Sequence, residues 1–321
     1  MDKINLIFFI NNCILDCKNN YFFAKKLLFS KEFCYLPIFF VKKEQFVRKT
    51  EYLCTKFRFI FWQSQPTNPQ IMSQNESERC LVIIPTYNEK ENIENIIRYV
   101  FKLSEPFHIL VIDDGSPDGT AAIVKSLQNE FPEQLHLIER EGKMGLGTAY
   151  IAGFRWSLEH NYDYTFEMDA DFSHNPDDLL RLLAACREEG ADMSIGSRYV
   201  SGVNVVNWPM DRVLMSYFAS KYVRVITGMD IHDTTAGFVC YKRRLLEKME
   251  LDKIRFRGYA FQIEMKFTAY KLGFKIKEVP VIFVNRRLGT SKMSGGIFSE
   301  ALWGVIRLRL DSMRGKFKKK A

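Results

Sequence analysis

From residue 80 onward the chain alternates short apolar runs with longer stretches in which apolar residues recur every three or four positions. Residues 80–84, 108–112, 135–138, 164–168 and 192–195 read as strands by their β-branched and aromatic content, and residues 91–103, 118–130, 145–159 and 177–189 read as helices between them. Such alternation predicts an α/β fold with a mostly parallel central sheet covered on both faces. Beyond residue 200 the pattern is less regular. It predicts a helix over 209–227, a strand over 238–241, a helix over 259–272 and an apolar strand over 279–284, an elaboration of the same domain. Pro85 and Pro176 punctuate elements, and Gly115, Gly119, Gly142, Gly145 and Gly147 fall between strands and helices, where an anionic ligand can approach the backbone.

The first 72 residues follow neither period. They hold twelve of the 27 phenylalanines and four of the seven cysteines (Cys13, Cys17, Cys34, Cys54), contain no glycine, and carry six of the eight net positive charges. No apolar run there approaches the roughly 20 residues needed to span a bilayer, and the run after Lys3 lacks a small-residue cleavage site. The expected organisation is a poorly ordered extension over 1–75, translated from upstream of a natural start at Met72, then one domain over 76–315 and a basic tail over 316–321.

Locating the charge removes nucleic acid from the expected partners, because the remainder of the chain carries an excess of only two. The cysteines form no CxxC pair and have no histidines at zinc spacing, so Cys80, Cys186 and Cys240 read as buried thiols.

Chemistry concentrates at three strand ends. Met168-Asp169-Ala170-Asp171-Phe172-Ser173 closes a strand with two carboxylates one residue apart, and His174-Asn175-Pro176 then forces a turn. A divalent cation that prefers oxygen ligands is commonly held by one or two carboxylates with water and phosphate; taken alone, the same residues suit a solvated turn or a helix cap. Pro85-Thr86-Tyr87-Asn88-Glu89 places a ring able to stack on a base and a carboxylate able to accept from a base or ribose, although capping of the next helix is the simpler account of that segment by itself. In Asp113-Asp114-Gly115-Ser116-Pro117-Asp118-Gly119-Thr120, Asp118 reads as an N-cap. The adjacent Asp113 and Asp114 require a donor or cation, expected from a ribose hydroxyl, a base N–H or a metal. Successive βα units bring all three ends to the carboxyl edge of one sheet, where ligands of open α/β sheets bind.

These motifs, with Gly145-Leu146-Gly147-Thr148-Ala149-Tyr150, Gly196-Ser197-Arg198-Tyr199, Gly258-Tyr259-Ala260-Phe261-Gln262-Ile263-Glu264 and Arg286-Arg287-Leu288-Gly289-Thr290-Ser291-Lys292, resemble the inverting nucleotide-sugar glycosyltransferases that include the polyprenol (dolichol) phosphate mannose synthases. The resemblance runs from about residue 80 to about 315 and implies a single GT-A type, Rossmann-like domain. It implies transfer of mannose from GDP-mannose to a polyprenyl monophosphate with inversion; the alternative is a UDP-sugar enzyme of glucosyl type acting on the same class of lipid. By the same analogy Pro85, Tyr87, Glu89, Ile112 and Asp114 contact guanosine. Asp169, Ala170 and Asp171 surround the diphosphate, and Asp169 and Asp171, with Ser173 as a third candidate, face Mg²⁺ or Mn²⁺. Arg198, Arg286 and Lys292 neutralise donor diphosphate and acceptor phosphate, and Arg212 and Ser216 join Arg198 on the acceptor side.

Charge neutralisation is also a physical requirement, since two phosphorylated substrates repel unless cations bring them together. A phosphate monoester is already anionic and needs no strong base, which leaves Asp171 and Glu264 as the carboxylates to test, Glu264 with a structural ion pair as its simpler account. Isolated arginines such as Arg243, Arg244 and Arg287 read as solvated surface charges. The stretch 296–320 mixes apolar residues with arginines and lysines and suits either an interfacial helix or a packing helix with a frayed tail. The expected location is peripheral, on the cytoplasmic face of a membrane, with a small membrane-anchoring subunit as a candidate partner.

Overall fold

A computed structural model describes residues 78–258, 260–285 and 297–315, the side chains of 297–301 excepted. A seven-stranded sheet runs in the order β3-β2-β1-β4-β7-β5-β8. Its strands are β1 (Cys80–Thr86), β2 (Phe107–Asp113), β3 (Leu135–Glu139), β4 (Tyr164–Glu167), β5 (Met193–Ser197), β7 (Val239–Lys242) and β8 (Ile276–Pro280). β1 pairs in parallel with β2 and β4, β2 with β3, and β5 with β8, whereas β7 lies antiparallel between β4 and β5. Two reversals restore direction, so β5 and β8 point the same way as β1, β2 and β4. The carboxyl ends of all these strands, and the amino end of β7, therefore share one edge.

The helices are α1 (Ile93–Val100), α2 (Thr120–Gln128), α3 (Leu146–Glu159), α4 (Asp178–Arg187), α5 (Met210–Thr227), α6 (Arg243–Lys248), α7 (Ala260–Lys271) and α8 (Ile297–Met313). Pleat alternation divides the core in two. Cys80, Val82 and Ile84 of β1 meet α1, α2 and α4 on one face; Leu81 and Ile83 meet α3, α7 and α8 on the other. Gly153 explains how closely α3 sits on the sheet, since a Cβ there would lie 2.7 Å from Ile83. Cys80, Cys186 and Cys240 are buried free thiols, as the sequence suggested.

The expected strand over 279–284 is two pieces. β8 ends at Pro280, whose ring removes a ladder donor, and β9 (Phe283–Val284) pairs in parallel with β6 (Val205–Val206) in a separate ribbon. The expected elements before residue 200 all form. Most helices are shorter than the periodicity indicated because the outer residues are taken by turns. The extension over 1–75 lies outside the described residues.

Candidate active site

The shared edge gathers the end of β1 with Tyr87 and Glu89, the end of β2 with Asp113 and Asp114, the end of β4 with Asp169 and Asp171, the end of β5 with Arg198, and the segment after β8 up to Asn285. The two aspartates after β2 are stabilised from within the protein. Asp113 accepts from Thr86 Oγ1 at 2.9 Å, Ser116 N at 2.8 Å and Ser116 Oγ at 2.6 Å. Asp114 accepts from Arg140 Nε at 2.6 Å and Met144 N at 3.3 Å. The donors expected from a ligand are thus already present, and Arg140, one residue past β3, is a part of this edge that sequence inspection overlooked. Its other contact, Nη1 to Thr148 Oγ1 at 2.8 Å, ties Asp114 to the start of α3.

Asn88 takes a left-handed φ of 56° and donates its N–H to Ser116 Oγ, while Glu89 accepts from Asn92 Nδ2 at 3.1 Å as its chain turns into α1. Lys143 Nζ lies 5.4 Å from the centre of the Tyr87 ring, a cation over an aromatic face. Asp118 does not occupy the N-cap of α2, which is Gly119 at φ 91°. Its carboxylate accepts from Lys90 N, Thr120 N and Thr120 Oγ1 and so joins the first two loops.

At the end of β4, Asp171 is nearly buried and its Oδ1 accepts the Ser173 N–H at 3.0 Å; Phe172 between them has φ 57°. The Tyr150 hydroxyl, fully buried, has no hydrogen-bond partner among the described residues. Burial first, then the charges of Asp169, Glu167 and Asp171, push its pKa well up, which places three carboxylates near this hydroxyl. Hard oxygen donors one residue apart in a negative corner fit Mg²⁺ or Mn²⁺ completed by water and phosphate oxygens. Among the described residues no group of three His, Cys, Asp or Glu side chains is placed to hold a metal.

On the far side of β7 a cationic and aromatic cluster forms. Arg198 is held by Asp233 through Nε–Oδ2 and Nη2–Oδ1 contacts of 2.7 Å each. Its guanidinium carbon lies 5.3 Å from Tyr199, 5.5 Å from Trp208 and 5.6 Å from Phe283. Arg212 stacks on the same Trp208 at 4.0 Å and donates to Asn285 Oδ1, and Tyr199 donates its hydroxyl to Ser216 Oγ at 2.8 Å. Trp208, Tyr199 and Asn285 thereby bring Arg198, Arg212 and Ser216 together. Burial raises the Asp233 carboxyl, but the charge and hydrogen bonds of Arg198 outweigh it and hold the pKa below the ordinary carboxylate value.

His174 stands between the acidic and cationic halves, stacked 4.8 Å from Phe238, its pKa held down to about 4 chiefly by burial. Glu264 is structural: its buried carboxylate accepts the backbone N–H groups of Arg255 and Phe256. Arg244 is an exposed surface charge, as expected, that reaches back to Asp192, and the half-buried Arg243 pairs with Glu247 one turn along its helix. Arg286, Lys292 and Arg287 lie outside the described residues.

A mostly parallel sheet with one reversed strand, and acids and arginines gathered on its carboxyl edge, is the architecture of GT-A type glycosyltransferases. Glucosyl-3-phosphoglycerate synthase from Mycobacterium tuberculosis, solved in complex with Mn²⁺, UDP and glucosyl-3-phosphoglycerate, has a similar fold, with a TM-score of 0.52 at 18% identity, covering 74% of this chain and 81% of that one. The family model described as glycosyl transferase family 2 matches residues 81–250. Polyprenol monophosphomannose synthase of Mycolicibacterium smegmatis is 49% identical over 244 residues, 74% of this chain and 91% of the relative. Undecaprenyl-phosphate mannosyltransferase of Micrococcus luteus is 47% identical over 229 residues, 71% and 93% respectively. The chain belongs to glycosyl transferase family 2.

Proposed function

We propose that this enzyme transfers mannose from GDP-mannose to a polyprenyl monophosphate, with inversion. The observation that carries the reading is the division of one sheet edge into an acidic half at Asp169 and Asp171 and a cationic half at Arg198 and Arg212. One half suits a nucleoside diphosphate bound with a cation, the other an anionic acceptor. The two relatives near half identity, named for mannose transfer to polyprenol or undecaprenyl phosphate, support the same substrates.

In this reading Pro85, Tyr87, Glu89, Ile112 and Asp114 form the guanosine slot. Asp169, Ala170 and Asp171 meet the diphosphate, and Asp169 and Asp171, with Ser173 beside them, would hold Mg²⁺ or Mn²⁺. When bound, the cation offsets the charge that develops on the departing GDP. Arg198, Arg212 and Ser216 orient the acceptor phosphate, and Arg286 and Lys292 complete the neutralisation. The acceptor oxygen is anionic before it attacks, so alignment with the anomeric carbon replaces general-base catalysis.

A lipid acceptor requires contact with a membrane, and among the described residues no helix is long and apolar enough to cross one. Two neighbouring helices instead turn apolar side chains outward. Met210, Leu214, Phe218 and Val225 lie exposed on α5, opposite its buried Ser220, Val223 and Thr227; Leu302, Trp303, Leu310 and Met313 lie exposed on α8, beside Arg307, Arg309 and Arg314. α5 also carries Arg212 and Ser216. This face suits peripheral docking on an anionic, cytoplasmic membrane surface, with arginines at the headgroups.

A donor-by-acceptor assay tests the reading. Lipid-soluble sugar is expected from GDP-mannose with polyprenyl monophosphate, and not without the lipid. Equal or faster transfer from UDP-glucose would overturn the donor assignment.

A further inference from the structure

We propose that Lys266, with Gln262 beside it on α7, is a positioning residue that locks the 233–238 turn, and through Asp233 the guanidinium of Arg198, in register with the end of β4 that carries Asp169 and Asp171. The inference rests on the substrates proposed above and adds a device that joins the two halves of the site from behind.

Lys266 is fully buried. Its ammonium donates to Ala236 O at 2.6 Å, Gln262 Oε1 at 3.1 Å and Gln262 O at 3.3 Å, which uses all three of its protons. The Gln262 amide then donates through Nε2 to Glu167 Oε2 at 2.5 Å, and the other Glu167 oxygen accepts from Tyr241 at 3.1 Å. Glu167 is the last residue of β4, two before Asp169. Ala236 is three residues beyond Asp233, the residue that grips Arg198 through its side chain and backbone. A continuous chain of short polar contacts thus runs from the metal-side strand through α7 to the turn that holds the acceptor-side arginine.

Two observations separate this from ordinary core filling. Burying an ammonium costs several kcal/mol even after relaxation, a cost that an apolar side chain of the same length would avoid. The charge also has a specific office: together with Arg198, Lys266 favours the ionised form of the fully buried Asp233. The turn is secured at its ends, by Glu278 Oε1 on Asp233 N at 2.8 Å and by the Gly196 N–H on Phe238 O at 2.8 Å, and Lys266 grips its middle. Without that grip Asp233 keeps its sequence neighbours but loses the constraint that fixes Arg198 relative to β4.

The test compares wild type, Lys266→Met, Asp233→Asn and the double variant as full-length protein. It measures binding of farnesyl monophosphate and of GDP with Mn²⁺ by calorimetry, and KM and kcat for transfer. Lys266→Met is expected to weaken farnesyl monophosphate binding and raise the acceptor KM by about 10- to 100-fold, the penalty of a misplaced binding group. GDP binding should change far less. Asp233→Asn should reproduce that pattern, and the double variant should be no worse than the poorer single one, as expected of residues acting through one path. Acceptor binding unchanged in Lys266→Met would overturn the proposal, as would equal loss of donor and acceptor binding with a non-cooperative melt. Additive losses in the double variant would overturn it too. If wild type binds farnesyl monophosphate but transfers no mannose, the substrate reading fails and the binding comparison still decides the role of Lys266.

Discussion

On the carboxyl edge of the sheet, Arg198 and Asp233 keep their charges by pairing. Away from it, His108 and His136 stack with ring centres 6.1 Å apart, and Tyr162 meets His108 Nδ1 at 2.9 Å. Burial is the chief cause that lowers both imidazole pKa values; Arg79 also lowers that of His108, and His160 that of His136. The folded chain therefore binds fewer protons than the unfolded one as pH falls past about 6.5, and stability must fall with it, whereas above that value the pair has no effect. A His136→Phe variant should lose less melting temperature than wild type between about pH 7.5 and 5.5; an equal loss would show that the pair does not titrate in this way. Asp169 and Asp171 were noticed in the sequence for their place at a strand end, although taken alone they also suit a solvated turn or a helix cap. Lys266 was not, because a lysine on a helix ordinarily marks a solvated face. Only the tertiary fold shows that Ala260 to Ala269 are buried on every side. Arg140 and Asp233 were missed for a related reason: each acts on a residue distant in sequence, Asp114 or Arg198, and no local pattern announces the pair.

Elements were easier to read than their faces. The βα alternation before residue 200 announced strands and helices whose apolar sides met the core as expected. In α5 the same apolar spacing was present, but its most apolar stripe faces outward and small residues face in. Periodicity reports that a stripe exists and not what it touches. α8 divides its apolar residues, with Val305 and Leu308 buried and Trp303 and Met313 exposed, so it both packs and offers a surface. Replacing Phe218 and Trp303 by Glu should weaken cosedimentation with anionic vesicles by about tenfold or more, since each side chain is worth about 1.5–3 kcal/mol when taken out of water. Vesicle binding equal to wild type would move the docking surface elsewhere.

For the molecule as a whole, the decisive feature is the single reversed strand. Because β7 is antiparallel to both neighbours, the turn before it and the loops after β4, β5 and β8 open onto one edge, and acids from the first half of the sheet face arginines from the second. Sequence alternation could announce a parallel sheet but not this insertion, which joins residues some 70 positions apart, as Glu167 and Val239. We propose that this edge performs cation-assisted mannosyl transfer with Asp171 at its acidic centre. It is tested most directly by measuring polyprenyl phosphate mannose formed from GDP-mannose by wild type and Asp171→Asn across a Mn²⁺ titration after chelation. Wild type should be silent without cation and restored by it, and the variant should fall by about 100-fold or more at saturating Mn²⁺. Transfer that survives chelation, or a variant as active as wild type, would contradict the account.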